Sequence, residues 1–413
     1  MISKTLHRFK TLPLTARAMV YLFWIYEFSQ IIVNLFLNLF VFMETNSLMG
    51  LVIYNLTFFL AIFLGFVVWG FFMSRRQISL KNNYFRSFVV YVVSFLTLIL
   101  FHPFREAGVP ALFLLLLFAG LNGIGLGMFW VGVHAYEMVT TDSGNRDFYS
   151  SMVSAGGQVL GILAPLLATL SFFLSEKILH IETFQILFLA LPFVYLFALP
   201  FVFRLPDFTP PKITYLELKR LFTSKDLGPV RNYIFSTSLP WGIRVVMMPT
   251  IILFSLKTVI NVGLFQTLAG ILSVLVIIFL SHERHEGNRM KILGFATLLL
   301  LVDLGILSFW QQTPYAYVLY TLLLVMAKPV HRVSQHVLDL HSMELLRDEN
   351  KDFYAGMLYR DCIITAGRFA SIIAVGILVF FLEETLAIQI CIGLSALSYF
   401  WDYWTAKRML RLN

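Results

Sequence analysis

The sequence predicts an all-α polytopic membrane protein, with twelve transmembrane helices arranged as two six-helix bundles. Three observations carry this. Of 413 residues, 59% are hydrophobic and only 13% charged, with a mean hydropathy of +0.80; a soluble chain exposes far more charge. The apolar residues run in blocks of about 20, enough to cross a hydrocarbon core of about 30 Å. The blocks are continuous rather than alternating, so they are helices and not barrel strands. Finally, a polar motif recurs once per half. His134–Tyr149 reads HAYEMVTTDSGNRDFY and His341–Tyr354 reads HSMELLRDENKDFY. Asn145, Arg146, Asp147, Phe148 and Tyr149 align without a gap on Asn350, Lys351, Asp352, Phe353 and Tyr354, 205 residues later. With a two-residue gap, His134 and Glu137 fall on His341 and Glu344. A repeat at half the chain length marks an internal duplication.

In chain order, Lys4, Arg8, Lys10 and Arg17 precede the first apolar block. That block is too long for a cleaved leader and polar on one side, so a retained helix is expected. Spans are expected at 18–42, 48–73, 84–103, 109–137, 150–174, 183–203, 233–255, 260–280, 291–311, 314–340, 355–381 and 384–404. The third is short and the tenth is polar. Twelve spans place both termini and loops 2–3, 4–5, 6–7, 8–9 and 10–11 on one side. That side holds 23 of the 31 Lys and Arg, and the opposite loops hold three: Arg105, Lys177 and Lys257. By the positive-inside rule both termini are expected in the cytoplasm, and the expected location is a bacterial cytoplasmic (plasma) membrane. The net charge of +8 is then a topology signal, and nucleic acid is not an expected partner. Cys362 and Cys391 lie in apolar segments and read as small buried hydrophobes.

The longest loop, 205–231, separates residues 1–204 from 232–413 and is the expected domain boundary. Pro206, Pro210 and Pro211 favour extended backbone. TYLELKRLF (214–222) then reads as a short amphipathic helix, with Leu216, Leu218, Leu221 and Phe222 on the membrane and Lys219 and Arg220 toward headgroups.

Six plus six helices, a basic central loop and a half-chain repeat resemble the major facilitator superfamily. In loop 2–3, GFFMSRRQISLKNNYFR, Gly70, Arg75 and Arg76 fit that family's signature, though no Asp precedes the arginines. Loop 8–9, SHERHEGNRMKI, echoes it through Glu283, Arg284, Gly287 and Arg289. The resemblance implies alternating access about a central site near the membrane midplane. It also implies that spans 1, 4, 7 and 10 line the cavity, that 2, 5, 8 and 11 flank it, and that 3, 6, 9 and 12 lie outside.

Ionisable and strongly polar residues inside spans are costly, so each is a functional candidate. In span 1, Glu27, Gln30, Asn34 and Asn38 fall on one helical face. Glu27 is a candidate proton carrier, with Asn34 and Asn38 on the substrate side; a helix-packing stripe of amides is the other reading. Span 4 offers Gly120, Gly123 and Gly127 at close-packing spacing. Its Trp130 either stacks on a ligand or anchors at the interface. At the end of span 4, His134 and Glu137, with Arg146 and Asp147 and with Asp352 of the second copy, suggest gating. Span 5 places Gly156, Gly157 and Gly161 for packing, Pro165 for a kink and Gln158 toward a cavity.

The second half is cationic. Arg244 lies deep in span 7, Lys328 and Arg332 share a face of span 10, and Arg368 is midway along span 11. Gln335 and Asp339 continue the span 10 face, with His331 and His336 flanking it. Unless Asp339, Asp361 or Glu27 neutralises them all, these cations suit an anionic substrate. Arg360 and Asp361 lie near the cytoplasmic end, where snorkelling ion pairs are the plainer reading. Asp303 in span 9 fits neither scheme.

The expected function is a secondary active transporter, monomeric in the lipid bilayer, for a small anionic or amphipathic solute, with protons as a candidate coupling ion. A lipid or glycolipid flippase of the same fold and a non-transporting sensor or assembly subunit are the alternatives. No phosphate-binding loop of the GxxxxGK[ST] type is present. An enzyme is not expected, since no nucleophile–base set falls within the membrane. No cofactor is expected, and HxxE supplies too few ligands for a metal.

Overall fold

A computed structural model describes residues 2–141, 145–280, 289–310, 313–350 and 353–412. Among these, twelve long helical runs follow one another: α1 (Leu14–Thr45), α2 (Leu48–Arg76), α3 (Leu80–Ile99), α4 (Ala111–Thr140), α5 (Arg146–Phe173), α6 (Gln185–Val202), α7 (Gly228–Leu256), α8 (Val259–Leu280), α9 (Arg289–Trp310), α10 (Pro314–Asn350), α11 (Phe353–Phe381) and α12 (Glu384–Met409). Ten are long and apolar enough to cross a membrane; α3 and α10 are not among the ten. These are the spans that the sequence marks as short and as polar. Loop 2–3 is shorter than expected. Arg75 and Arg76 form the last turn of α2, and α3 begins directly after Ser79.

The chain forms two compact units. One contains residues 1–34 and 60–213, the other 35–59 and 214–413. The division therefore falls at Ile213–Thr214, and the segment Leu35–Phe59 belongs with the C-terminal half.

In the first unit, small residues let backbones approach. A Cβ on Gly65 would strike the Ile124 carbonyl, and one on Gly127 would strike the backbone of Ile62, Gly65 and Phe66, so α2 and α4 cross in direct backbone contact. Gly120 faces open space instead. Asn83 of α3 ties this pair together: it accepts from Trp69 Nε1 at 2.7 Å and donates to the Met128 carbonyl at 2.6 Å. On α5, Gly156 makes room for the Trp24 indole, which donates to the Met152 carbonyl at 3.2 Å; Gly157 and Gly161 face open space.

In the second unit, Ser238 and Gly242 of α7 pack into Gly367 and Ser371 of α11. Ser236 and Thr405 share a hydrogen bond of 2.7 Å between α7 and α12. Asn55 donates to Asn38 at 3.1 Å, joining the two arms of the Leu35–Phe59 segment, and Phe42 meets Phe254 edge-on.

The segment leading out of α6 is strapped to the first unit. Ser74 donates to the Pro211 carbonyl and accepts from Ile213 N at 2.9 Å, Gln77 donates to the Pro210 carbonyl at 3.0 Å, and Tyr136 donates to the Pro206 carbonyl at 2.6 Å. The linker helix Tyr215–Thr223 starts in a capping box between Thr214 and Glu217. Its apolar face does not all lie on lipid, as the sequence suggests. Leu221 is fully buried, and Phe222 touches Tyr359 of α11 edge-on while staying 40% exposed; Tyr215 and Leu216 are more exposed still. Burial within the protein removes Leu221 from water as well as lipid would.

Candidate functional site

A polar interior lies in the second unit, where α7, α9, α10, α11 and α12 each contribute an ionisable side chain. Arg244 projects from the middle of α7. Its guanidinium donates to Tyr399 Oη at 2.9 Å and to Tyr320 Oη at 3.3 Å, and its Nε is buried with no hydrogen-bond partner among the described residues. Asp303 of α9 is fully buried, and neither carboxylate oxygen has a hydrogen-bond partner among the described residues. Arg244 of α7 is the buried cation whose charge bears on it. Asp303 has thus turned inward, which accounts for an acid on a helix expected to lie outside. A lone carboxylate in lipid would be prohibitive, whereas one beside a buried arginine is not.

The cluster continues along α10 and α12. His331 is buried, its ring edge-on to Tyr399 at 5.4 Å, and its Nε2 lies 3.9 Å from Asp402 Oδ2. Nearer the end of α7, Tyr233 donates to Asp339 Oδ1 at 3.1 Å, and Arg360 of α11 pairs with Asp339 Oδ2 at 3.8 Å. Asp339 therefore neutralises Arg360 directly.

Of the other cationic candidates, Lys328 is exposed, and the side chain of Arg332 lies outside the described residues. The Arg368 guanidinium carbon lies 5.1 Å from the centre of the Phe59 ring and 5.7 Å from that of Trp241, at cation–π distance from both.

On α1, the stripe expected on span 1 is broken. A π-helical turn at Val33–Leu37 inserts extra backbone into α1, which rotates everything beyond it relative to what precedes it. Gln30 is buried, Glu27 partly buried and Asn34 exposed, while Asn38 is buried against Asn55. Trp130 donates to Tyr26 Oη at 3.0 Å and stacks on His134 at 5.1 Å, so its polar edge faces protein. His134 Nδ1 lies 3.6 Å from Glu137 Oε2, and Glu137 Oε1 accepts from Tyr149 Oη at 3.3 Å. The second copy repeats the first contact, His341 Nδ1 to Glu344 Oε2 at 4.0 Å, with Glu344 more exposed. Gln158 is partly buried. The side chains of Arg146 and Asp147, and Asp352, Glu283, Arg284 and Gly287 altogether, lie outside the described residues.

Sequence reasoning missed Asp402, Tyr399, Tyr320 and Tyr233. Asp402 falls two residues inside the expected end of span 12, in WDYW, where an acid passes for a headgroup contact. The tyrosines carry no periodic signal among so many aromatic residues.

No protein-family model matches the chain. A curated relative, the uncharacterized protein YqgE of Bacillus subtilis (strain 168), is 20% identical over 389 residues, covering 93% of this chain and 87% of that one. Among solved structures, the nucleoside transporter NupG aligns with a TM-score of 0.64 at 12% identity, over 96% of this chain and 99% of that one. A mutant form of the peptide transporter POT aligns with a TM-score of 0.64 at 13% identity, over 96% and 95%. The human organic anion transporter MFSD10 aligns with a TM-score of 0.60 at 12% identity, over 95% and 99%. At such identities the likeness shows the fold, which is major facilitator-like, and with ten membrane-length apolar helices the chain is an integral membrane protein.

Proposed function

We propose that this chain is a secondary active transporter that moves a small anionic or amphipathic solute by alternating access across a bacterial cytoplasmic membrane, with both termini in the cytoplasm. The observation that carries the reading is a fold shared, over at least 95% of the chain, with transporters of nucleosides, peptides and organic anions. Fold alone does not determine function. The ionisable side chains inside helices add the second support, because a purely structural membrane bundle gains nothing from them.

Three cations favour an anionic solute. Arg244 is engaged by two phenols within its own unit. Lys328, Arg332 and Arg368, cations inside expected spans, are the candidates to meet a carboxylate or phosphate, and the planar guanidinium fork of an arginine suits a planar carboxylate. One of the structural neighbours is an organic anion transporter. Glu27, partly buried in α1, is the first-unit candidate for proton coupling.

The test is uptake into proteoliposomes of labelled mono- and dicarboxylates and phosphate esters, with and without a pH gradient. The expected result is uptake of at least one anion, accelerated by the gradient and slowed about tenfold or more by Arg368→Ala, the effect of losing about 1.4 kcal/mol of binding. A well-folded wild type that moves none of them would overturn the anionic reading.

A further inference from the structure

The α12 helix carries a continuous outward face. Leu386, Ile390, Leu394, Leu397, Trp401 and Trp404 follow one another at helical spacing, and each is at least 37% exposed. They lie on one side of the helix, where lipid is what covers apolar side chains. Tryptophans mark the level of the lipid headgroups. Arg408, one turn beyond Trp404 and exposed, therefore stands at the height of the phosphates. Its guanidinium carbon lies 3.6 Å from the centre of the Trp404 ring. That distance is reached only over the ring face, because the ring's own hydrogens stop an edge approach. The indole holds the cation in place and leaves the N–H groups around its rim for an acceptor. The end of the first unit has a similar pairing: Arg204 lies 5.7 Å from the centre of the Phe201 ring. Arg204 precedes Arg408 by 204 residues, close to the offset of the duplicated motif.

Beside Arg408 is a cavity of about 220 Å³, lined by Gly228, Pro229 and Asn232 from the start of α7 and by Thr405 and Arg408 of α12. The lining holds one cation, one amide and no acid; the nearby Asp226 is exposed and outside it. The volume is below the roughly 300–1,000 Å³ of a pocket for a drug-sized molecule, and suits a headgroup. Thr405 already bonds to Ser236, so Arg408 and Asn232 are the side chains left for a ligand. The α7 backbone adds little. Pro229 has no N–H, and the Gly228 and Arg231 N–H groups donate to the Lys225 and Leu227 carbonyls at 3.0 and 2.8 Å.

We propose that the cavity between the start of α7 and the end of α12 binds one anionic phospholipid, its phosphate on Arg408 and Asn232 and its acyl chains along the outward face of α12. A phosphodiester matches the arginine in charge, and a guanidinium grips phosphate oxygens in pairs. The apolar face is the reason for a lipid over a free phosphate, because it leads the acyl chains directly to the headgroup site. A zwitterionic lipid brings the same phosphate together with an ammonium, which finds no acid in the lining. The site needs only the membrane location of the chain and stands whether or not the chain moves a solute.

The test is native mass spectrometry of the whole chain in detergent, titrated with phosphatidylglycerol, with phosphatidylcholine, and with inorganic phosphate as a competitor. Wild type should retain one phosphatidylglycerol more tightly than any further lipid, and more tightly than phosphatidylcholine. Arg408→Gln should weaken that first binding about tenfold, the scale of one lost charge-assisted contact. Lys407→Gln removes the same charge from outside the lining and should leave the affinity unchanged. Asn232→Leu keeps every charge while filling the cavity from α7, and should weaken binding as well; it decides the matter if Arg408→Gln fails to fold. Equal losses in Arg408→Gln and Lys407→Gln would indicate a diffuse basic surface and overturn the proposal. So would full affinity in either Arg408→Gln or Asn232→Leu, or equal affinity for phosphatidylcholine. Displacement of the lipid by inorganic phosphate at matching concentration would mark a free-anion site and overturn it too.

Discussion

His331 Nε2 lies 3.9 Å from Asp402 Oδ2, with both side chains buried, so α10 and α12 meet through two ionisable groups where apolar contact would be the ordinary solution. Such a contact is costly in a membrane and adds little net stability over a well-packed apolar substitute. Its presence therefore argues for a function, and the same reasoning extends to Arg244 and Asp303.

Arg244→Met should destabilise the second unit, because two phenols and the Asp303 carboxylate lose their cationic neighbour. The cost should be about 3 kcal/mol, in the range for breaking a buried charged contact. Thermal unfolding in detergent measures it. The double variant Arg244→Met/Asp303→Asn should recover part of the loss, since the two sites share a partner; strictly additive losses would contradict the pairing.

Gly127→Val should lower stability by about 1–3 kcal/mol through overpacking, because its new side chain meets backbone of α2 that cannot move aside. Gly120→Ala, seven residues earlier on the same helix, should be close to neutral, because nothing lies within 4 Å of its Cβ position. Unfolding curves for the two variants would show whether the glycines act as one stripe or separately.

Ser74→Ala removes both hydrogen bonds that hold Pro211 and Ile213. Cleavage by trypsin at Lys212 should accelerate, with little change elsewhere in the first unit. Unchanged cleavage kinetics would mean that Gln77 and Tyr136 suffice to hold the segment.

The two copies of HxxE should respond unequally. Glu137 holds both His134 and Tyr149, so Glu137→Gln should cost about 1 kcal/mol or more. In Glu344 the carboxylate is 60% exposed, and Glu344→Gln should be nearly silent. Equal losses would indicate that the duplicated motif does the same work in both halves.

Much of the fold was legible in the sequence because membrane helices announce themselves by length and hydropathy. Every expected span falls on a helix, and the two doubtful ones, third and tenth, are those without a membrane-like composition. The linker helix was legible for a local reason, the Thr214–Glu217 capping box. What it packs on was not, because a hydrophobic face does not say whether protein or lipid covers it. Residue spacing failed on α1, where the π turn at Val33–Leu37 breaks the face that a regular helix would give to Glu27, Gln30, Asn34 and Asn38. In the site, Arg244 and Asp303 could each be flagged as intramembrane charges, but their proximity is a tertiary fact. Asp402 was invisible because its depth depends on where α12 ends, and α12 continues to Met409.

The most direct test of the central claim is counterflow. Proteoliposomes are loaded with unlabelled solute and diluted into a trace of the labelled form, with no ion gradient. The account predicts a transient accumulation of label above its external concentration, which requires a carrier whose site faces each side in turn. Simple equilibration without overshoot for a solute that crosses would point to a channel, and would contradict the account.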